Sequence, residues 1–213
     1  MYRRTAVIGV AACLTSIALA AHAMSGGGGH IQIGASASPA LGAFSFESSN
    51  VKVSEADGKV IFTTQLDEMQ MGLRKSHTKE AFEFGKHPTA KLSVEKSKLK
   101  IPAGGATEKG TVGGELTLHG VTRPVNVKYT ATASGDGFKV GGSFSFQYQD
   151  FKVGKKCRRE GKGDDDKLPE CDEDRIKACK SNSNICFEQI CKVGVCVDPN
   201  VNVTVDGVKI SGS

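Results

Sequence analysis

The stretch Gly114-Glu115-Leu116-Thr117-Leu118-His119-Gly120-Val121-Thr122-Arg123-Pro124-Val125 decides how this chain folds. On an extended backbone Leu116 and Leu118 share one face, while Glu115, Thr117 and His119 share the other. A turn at His119–Thr122 then reverses the chain into a second strand. One apolar and one polar face make the hairpin half of a layer that buries one side.

The same period of two spreads outward from this hairpin. Val125, Val127, Tyr129 and Ala131 oppose Asn126, Lys128, Thr130 and Thr132. Gly135-Asp136-Gly137 joins this strand to Phe138–Tyr148, where Phe138, Val140, Phe144, Phe146 and Tyr148 share a face. Upstream strands are predicted at Ala43–Glu47, Asn50–Glu55, Lys59–Leu66 and Lys91–Lys96, with Asp57-Gly58 as a hairpin turn. Leu99 and Ile101 have the opposite parity to Leu92 and Val94, which places a bulge or break near Ser97. At the end of the chain Val201, Val203 and Val205 alternate, Asp206-Gly207 reads as a bulge, and Val208–Ile210 continues. The helix expected in this region is Ser76–Gly85, stopped by Gly85 and Pro88. The pattern predicts an all-β, antiparallel barrel of about eight strands with one short helix. A barrel of that size either holds one small ligand or is filled by side chains, and alternation leaves both open.

The N-terminus reads as a secretory signal. Arg3 and Arg4 precede the apolar run Ala6–Ala20, and Ala21-His22-Ala23 is a cleavage motif. Val10-Ala11-Ala12-Cys13 is similar to a lipobox, but the apolar run continues past Cys13, which argues against a lipid anchor there. Without the signal, 26 of the 28 Lys and Arg remain against 23 Asp and Glu, too mild a surplus to imply nucleic acid. Cleavage after Ala23 predicts a periplasmic or secreted chain with no stable membrane span. The expected divisions are a signal peptide (1–23), a flexible Gly-rich lead-in and first strand (24–40), the barrel (41–155), an insert (156–198) and the final barrel strand (199–213).

Of the seven cysteines, all but Cys13 crowd into the insert: Cys157, Cys171, Cys179, Cys186, Cys191 and Cys196. In an exported chain this predicts disulfides, with the pairing open among fifteen possibilities. Zinc is disfavoured, because the insert has no Cys-x-x-Cys pair and no His. Stapling compensates for a small apolar complement of Ile176, Ile185, Phe187 and Ile190. A helix is expected over Asp172–Lys180, acidic at its start and basic at its end. Lys155, Lys156, Arg158 and Arg159, followed by Asp164-Asp165-Asp166, read as a solvated charged loop.

No catalytic constellation emerges. His30, His77, His87 and His119 are scattered, and Gly-x-Ser-x-Gly, His-Glu-x-x-His and a phosphate-binding loop are all missing. Neither a cofactor nor a metal is expected.

The opening hairpin resembles the signature hairpin of the YceI-like family. Leu66-Asp67-Glu68-Met69-Gln70-Met71-Gly72-Leu73-Arg74-Lys75-Ser76-His77 is similar to the family's Gly-x-x-Arg-x-x-His segment. Phe82–Ala90 resembles its helix and strand entry, with His87 in place of the usual aromatic. Gln149-Asp150-Phe151 resembles its Asp-Phe-Gly, with Lys152 in place of Gly. The resemblance covers Leu41–Gly154 and the last dozen residues, whereas the family's opening strand is not visible in His30–Ser38. It implies a lipocalin-like barrel that carries a polyisoprenoid or other apolar lipid and is not an enzyme. The candidate pocket wall is Phe62, Leu66, Met69, Met71, Leu116, Leu118, Val127, Tyr129, Phe144 and Phe146. Arg74 and His77 either pin the short helix or face a lipid head group. The alternative is a filled barrel acting as an interaction module, with the Cys-rich insert contacting a partner protein.

Overall fold

Asp57-Gly58 and His119-Gly120 each reverse the chain in two residues, all four with positive φ (51° and 70°, 51° and 71°). That geometry matches the right-handed twist of the flanking strands and fixes their register. A computed structural model describes residues 23–38, 42–72, 75–161, 167–180, 182–192 and 194–211, with the side chains of Lys75 and His77 excepted. Most of the signal peptide with Cys13, the residues Leu73 and Arg74, and the acidic run Asp164–Asp166 lie outside the described residues, as does the His77 side chain.

The strands are β1 (Ser25–Gly27), β2 (His30–Ser38), β3 (Gly42–Ser48), β4 (Val51–Ala56), β5 (Lys59–Gln65), β6 (Thr89–Glu95), β7 (Thr107–Leu118), β8 (Val121–Ser134) and β9 (Gly137–Gln147), with helix α1 (Lys75–Ala81) before β6. The insert holds β10 (Lys156–Arg158), β11 (Ile185–Phe187), β12 (Cys191–Lys192) and β13 (Val195–Val197), and β14 (Asn200–Ser211) ends the chain. Neighbours β4 through β9 pair antiparallel in chain order, and β9 pairs with β14. β1 pairs with both β14 and β4, which closes an eight-strand ring. β2 and β3 continue β1 and β4 beyond the ring in unchanged register: Ser25 faces Ser54, and Ile31 faces Ser48.

The Gly-rich run that composition predicts to be a flexible lead-in is therefore the strand that shuts the barrel. A Cβ on Gly26 would stand 2.0 Å from the Lys209 carbonyl oxygen, so only glycine lets β1 lie this close to β14. Met24 is buried at 1% exposure. Its backbone N–H donates to Glu55 Oε2 at 2.8 Å, and Lys96 Nζ donates to the same oxygen at 3.0 Å. His30–Ser38, where the family's opening strand is not visible in the sequence, is the nine-residue β2. Its apolar alternation is short: Ile31 and Ile33 face inward, and small residues complete it.

Elsewhere the alternation maps onto the ring. The β14 register shifts between Val205 and Val208, which is the bulge expected at Asp206-Gly207. The parity change near Ser97 is a 3-10 turn at Lys96–Lys98. Helix α1 ends at Ala81, earlier than Gly85, and the chain turns at Glu83 with φ 46°.

In the insert the helix expected over Asp172–Lys180 is absent. It is a single 3-10 turn at Glu173–Arg175, capped by Asp172 Oδ1 accepting from the Asp174 N–H. Disulfides join Cys157 to Cys171, Cys179 to Cys186, and Cys191 to Cys196. The disulfide from Cys179 ties the end of this segment to Cys186 of β11, and so short a helix has little stability of its own. Cys157, Ile176 and Cys186 form a small core separate from that of the barrel. Arg158 pairs with Glu170 at 2.8 Å and Arg159 with Glu173 at 3.6 Å, so two of the basic residues read as a solvated loop are tied within the insert.

Candidate functional site

The inward side chains of the ring do not meet at its centre. They surround a cavity of about 1690 Å³, larger than the roughly 300–1,000 Å³ of a typical small-ligand pocket. All ten residues of the expected wall border it. β5 and the residue after it supply Phe62 and Leu66, β7 supplies Leu116 and Leu118, β8 supplies Val127 and Tyr129, and β9 supplies Phe144 and Phe146. Met69 and Met71 belong to the irregular segment after β5, where Gln70 bridges to Glu47. Both are buried, at 1% and 5% exposure. Phe144 and Phe146 stack at 6.3 Å between ring centroids, and Phe146 meets Phe151 edge-on at 5.2 Å. Phe62, Phe144 and Phe146 remain half-buried because one side of each ring fronts the cavity.

Sequence reasoning missed two parts of the wall. Ile31, Ile33, Phe44 and Phe46 come from β2 and β3, whose short alternations were the only signal. Ile190 and Val197 come from the insert, where no periodicity marks them as inward. The insert is thus part of the cavity wall as well as a knob. β13 extends the sheet at β2, with Cys196 opposite Ser38 and Val197 opposite Ala37.

Two barrel residues stitch the insert in place. Tyr148 Oη donates to the Val197 carbonyl at 3.1 Å and accepts from the Ile190 N–H at 3.0 Å. Burial pushes the Tyr148 hydroxyl up to about 12, with the Ile190 N–H opposing that shift. Gln149 Nε2 donates to the carbonyls of Arg175, at 3.0 Å, and Phe187.

Polar atoms inside the apolar wall are few, and two have no partner among the described residues: Thr64 Oγ1 and Gln149 Oε1. Both residues border the cavity and are 5% exposed. A buried unsatisfied group costs about 1–3 kcal/mol. Gln149 Oε1 can only accept, so an occupant carrying a hydroxyl or N–H would satisfy it. Tyr129, by contrast, is satisfied through the Lys100 N–H at 2.8 Å.

Arg74, and the side chain of His77, the candidate head-group residues, are outside the described residues. His119 and Arg123 tie the β7–β8 hairpin to the Tyr148–Phe151 turn: His119 Nδ1 meets the Phe151 carbonyl at 3.1 Å, and Arg123 Nε donates to the Asp150 carbonyl at 3.1 Å.

A family model described as YceI-like domain matches residues 22–169. The fold is similar to a solved polyisoprenoid binding domain from Saccharophagus degradans implicated in plant cell wall breakdown. The two share 12% identity at a TM-score of 0.55, covering 89% of this chain and 98% of that one. Burkholderia cenocepacia BcnA aligns at 15% identity and a TM-score of 0.49, covering 85% of this chain and 96% of its own. Among curated proteins, no sequence matches.

Proposed function

This chain belongs to the YceI-like family, and from that premise we propose that its barrel holds an isoprenoid-like or other apolar lipid and carries it outside the cytoplasm. The observation that carries this reading is the wide cavity bounded by apolar side chains from every ring strand except the glycine-rich β1. Each methylene taken from water contributes about 0.8 kcal/mol. About ten buried carbons thus contribute about 8 kcal/mol, against the cost of immobilising the chain. The Saccharophagus degradans domain, with the same fold, is described as polyisoprenoid binding, which supports the ligand class. Thr64 and Gln149 favour a lipid whose polar end carries a hydrogen-bond donor.

Three disulfides favour an oxidising compartment and fit the expected secretory signal, hence a periplasmic or secreted carrier. No helix among the described residues is long and apolar enough to cross a membrane. The filled-scaffold alternative needs side chains packed across the ring, and the cavity argues against it.

The decisive experiment is mass spectrometry of the organic extract of natively purified protein. An apolar lipid at near-stoichiometric yield is expected. No extracted lipid, together with no displaceable binding of a fluorescent polyprenyl analogue, would reject the carrier reading.

A further inference from the structure

Glu83, His87 and His119 converge at the rim of the cavity although they come from different elements. Glu83 and His87 lie in the turn between α1 and β6, and His119 lies in the β7–β8 turn. One ligand atom from each falls within 4.8 Å of the other two. Glu83 Oε2 and His119 Nε2 are 3.2 Å apart. The two imidazoles meet at a ring-centroid separation of 4.8 Å and an angle of 67°.

The hydrogen bonds around this cluster impose a constraint. His119 Nδ1 faces the Phe151 carbonyl at 3.1 Å. A carbonyl only accepts, so Nδ1 must carry the proton, and the neutral ring then presents the Nε2 lone pair to the Glu83 carboxylate. Two acceptors do not rest 3.2 Å apart without something positive between them: a second proton on the ring, or a cation. A backbone carbonyl fixing the far nitrogen is also how metal-binding histidines are oriented. Glu83 is prepared on its other side as well, because Lys86 Nζ donates to Oε1 at 2.7 Å and leaves Oε2 to face His119. Gly120 makes room for the second imidazole. Its φ is +71°, and a Cβ there would lie 2.9 Å from His87 Cε1.

We propose that Glu83, His87 and His119 form a binding site for a divalent transition ion of the zinc class. Two nitrogens and one carboxylate oxygen suit that class better than magnesium or calcium, which prefer oxygen alone. Bonds of about 2.0–2.2 Å in a tetrahedral arrangement put ligand atoms about 3.4 Å apart. The Glu83–His119 pair already meets that spacing, and His87, with a ring nitrogen within 4.8 Å of both other ligand atoms, is the ligand that has to move closer. Three protein ligands leave the fourth position open. Glu83 and His119 both border the cavity, so the ion would clasp the turn after α1 to the β7–β8 turn at the cavity rim.

The test is zinc titration of the untagged, chelator-treated full chain by calorimetry, with thiol counting to show that the cysteines are oxidised. Cobalt substitution reports the geometry. About one equivalent of zinc is expected, with the visible absorption of tetrahedral cobalt and a higher melting temperature in zinc, because an ion that binds the folded form stabilises it. Glu83→Gln and His87→Gln should each weaken binding at least tenfold while melting normally without metal. His30→Gln, which alters an exposed ring near Glu47 outside the cluster, should bind as the parent does. No zinc binding by the parent would show that the cluster is an ordinary His–Glu ion pair and overturn the proposal. Equal binding by parent, Glu83→Gln and His87→Gln would place the metal elsewhere and overturn it too.

Discussion

Replacing Tyr148 with Phe removes one oxygen from the joint between barrel and insert and leaves the ring in place. That ring is 1% exposed and packs 6.4 Å from Phe82, so the apolar packing should survive. Two hydrogen bonds are lost. The Val197 carbonyl keeps a second donor, Gln189 Nε2 at 3.3 Å, so its loss is partial. The Ile190 N–H has no such substitute, and a buried donor left unpaired costs about 1–3 kcal/mol. Together the loss is about 2 kcal/mol, which corresponds to about a 30-fold rise in the population with the insert detached. Hydrogen exchange reads this directly at the Asp198 amide, which bonds to the Ser36 carbonyl of β2 rather than to Tyr148. It should exchange about 30-fold faster, with the β7–β8 ladder unchanged. Because Ile190 and Val197 line the cavity, a bound polyprenyl probe should also dissociate faster. Unchanged exchange at the Asp198 amide in a folded variant would refute the claim that Tyr148 holds the insert to the barrel.

Phe146→Ala should weaken binding of a fluorescent polyprenyl analogue about 5- to 30-fold, as expected from losing one ring face of about 1–2 kcal/mol. Its melting should shift less than the 3–5 kcal/mol of a filled core, because the ring already fronts open space. Replacing Lys156–Asp198 with a short Gly/Ser turn should leave a cooperatively melting barrel, since closure cost grows only logarithmically with loop length. That variant should release its probe faster than the parent, and loss of cooperative unfolding would show that the insert is integral to the core. Glu55 is held below the usual carboxylate range, first by the Met24 N–H and then by Lys96. Its folded pKa is depressed, so its stabilisation is present above the ordinary glutamate pKa and is lost as pH falls through the folded value. Glu55→Gln should therefore flatten the acid limb of a denaturation curve measured against pH.

The barrel was legible where strands alternate cleanly. Leu116, Leu118, Val127 and Tyr129 carry enough apolar contrast for parity to assign the inward face, and the paired turn residues set the hairpins. The closing strand was not legible, because β1 is mostly glycine and has no side-chain pattern. What identifies it is a backbone approach, seen at Gly26 against Lys209, and composition cannot encode that distance. The insert was legible in its chemistry, since six crowded cysteines point to crosslinks. Its docking was not, because Ile190 and Val197 sit in strands too short to show a period. The charge pattern at Asp172–Lys180 promised a helix where a single 3-10 turn stands. The rim cluster escaped for a related reason: Glu83, His87 and His119 lie in turns, and only the pairing of β6 with β7 brings them together.

The first and last strands of the ring in chain order shut it. β1 begins at Ser25 and lies against a strand that ends at Ser211, so the barrel has a fixed order of completion. While the chain emerges in sequence, β4 through β9 can zip together as successive hairpins, but β1, β2 and β9 wait with bare edges for β14. Contacts of such long sequence separation form slowly, and bare edges are where chains stick to one another. The crosslinks roughly halve the tether between β9 and β14, yet halving a loop is worth only about 0.6 kcal/mol. Arrival of the twelve residues of β14, more than oxidation of the insert, therefore times the moment at which the container is sealed, and a chain cut short before β14 would remain an open, adhesive sheet.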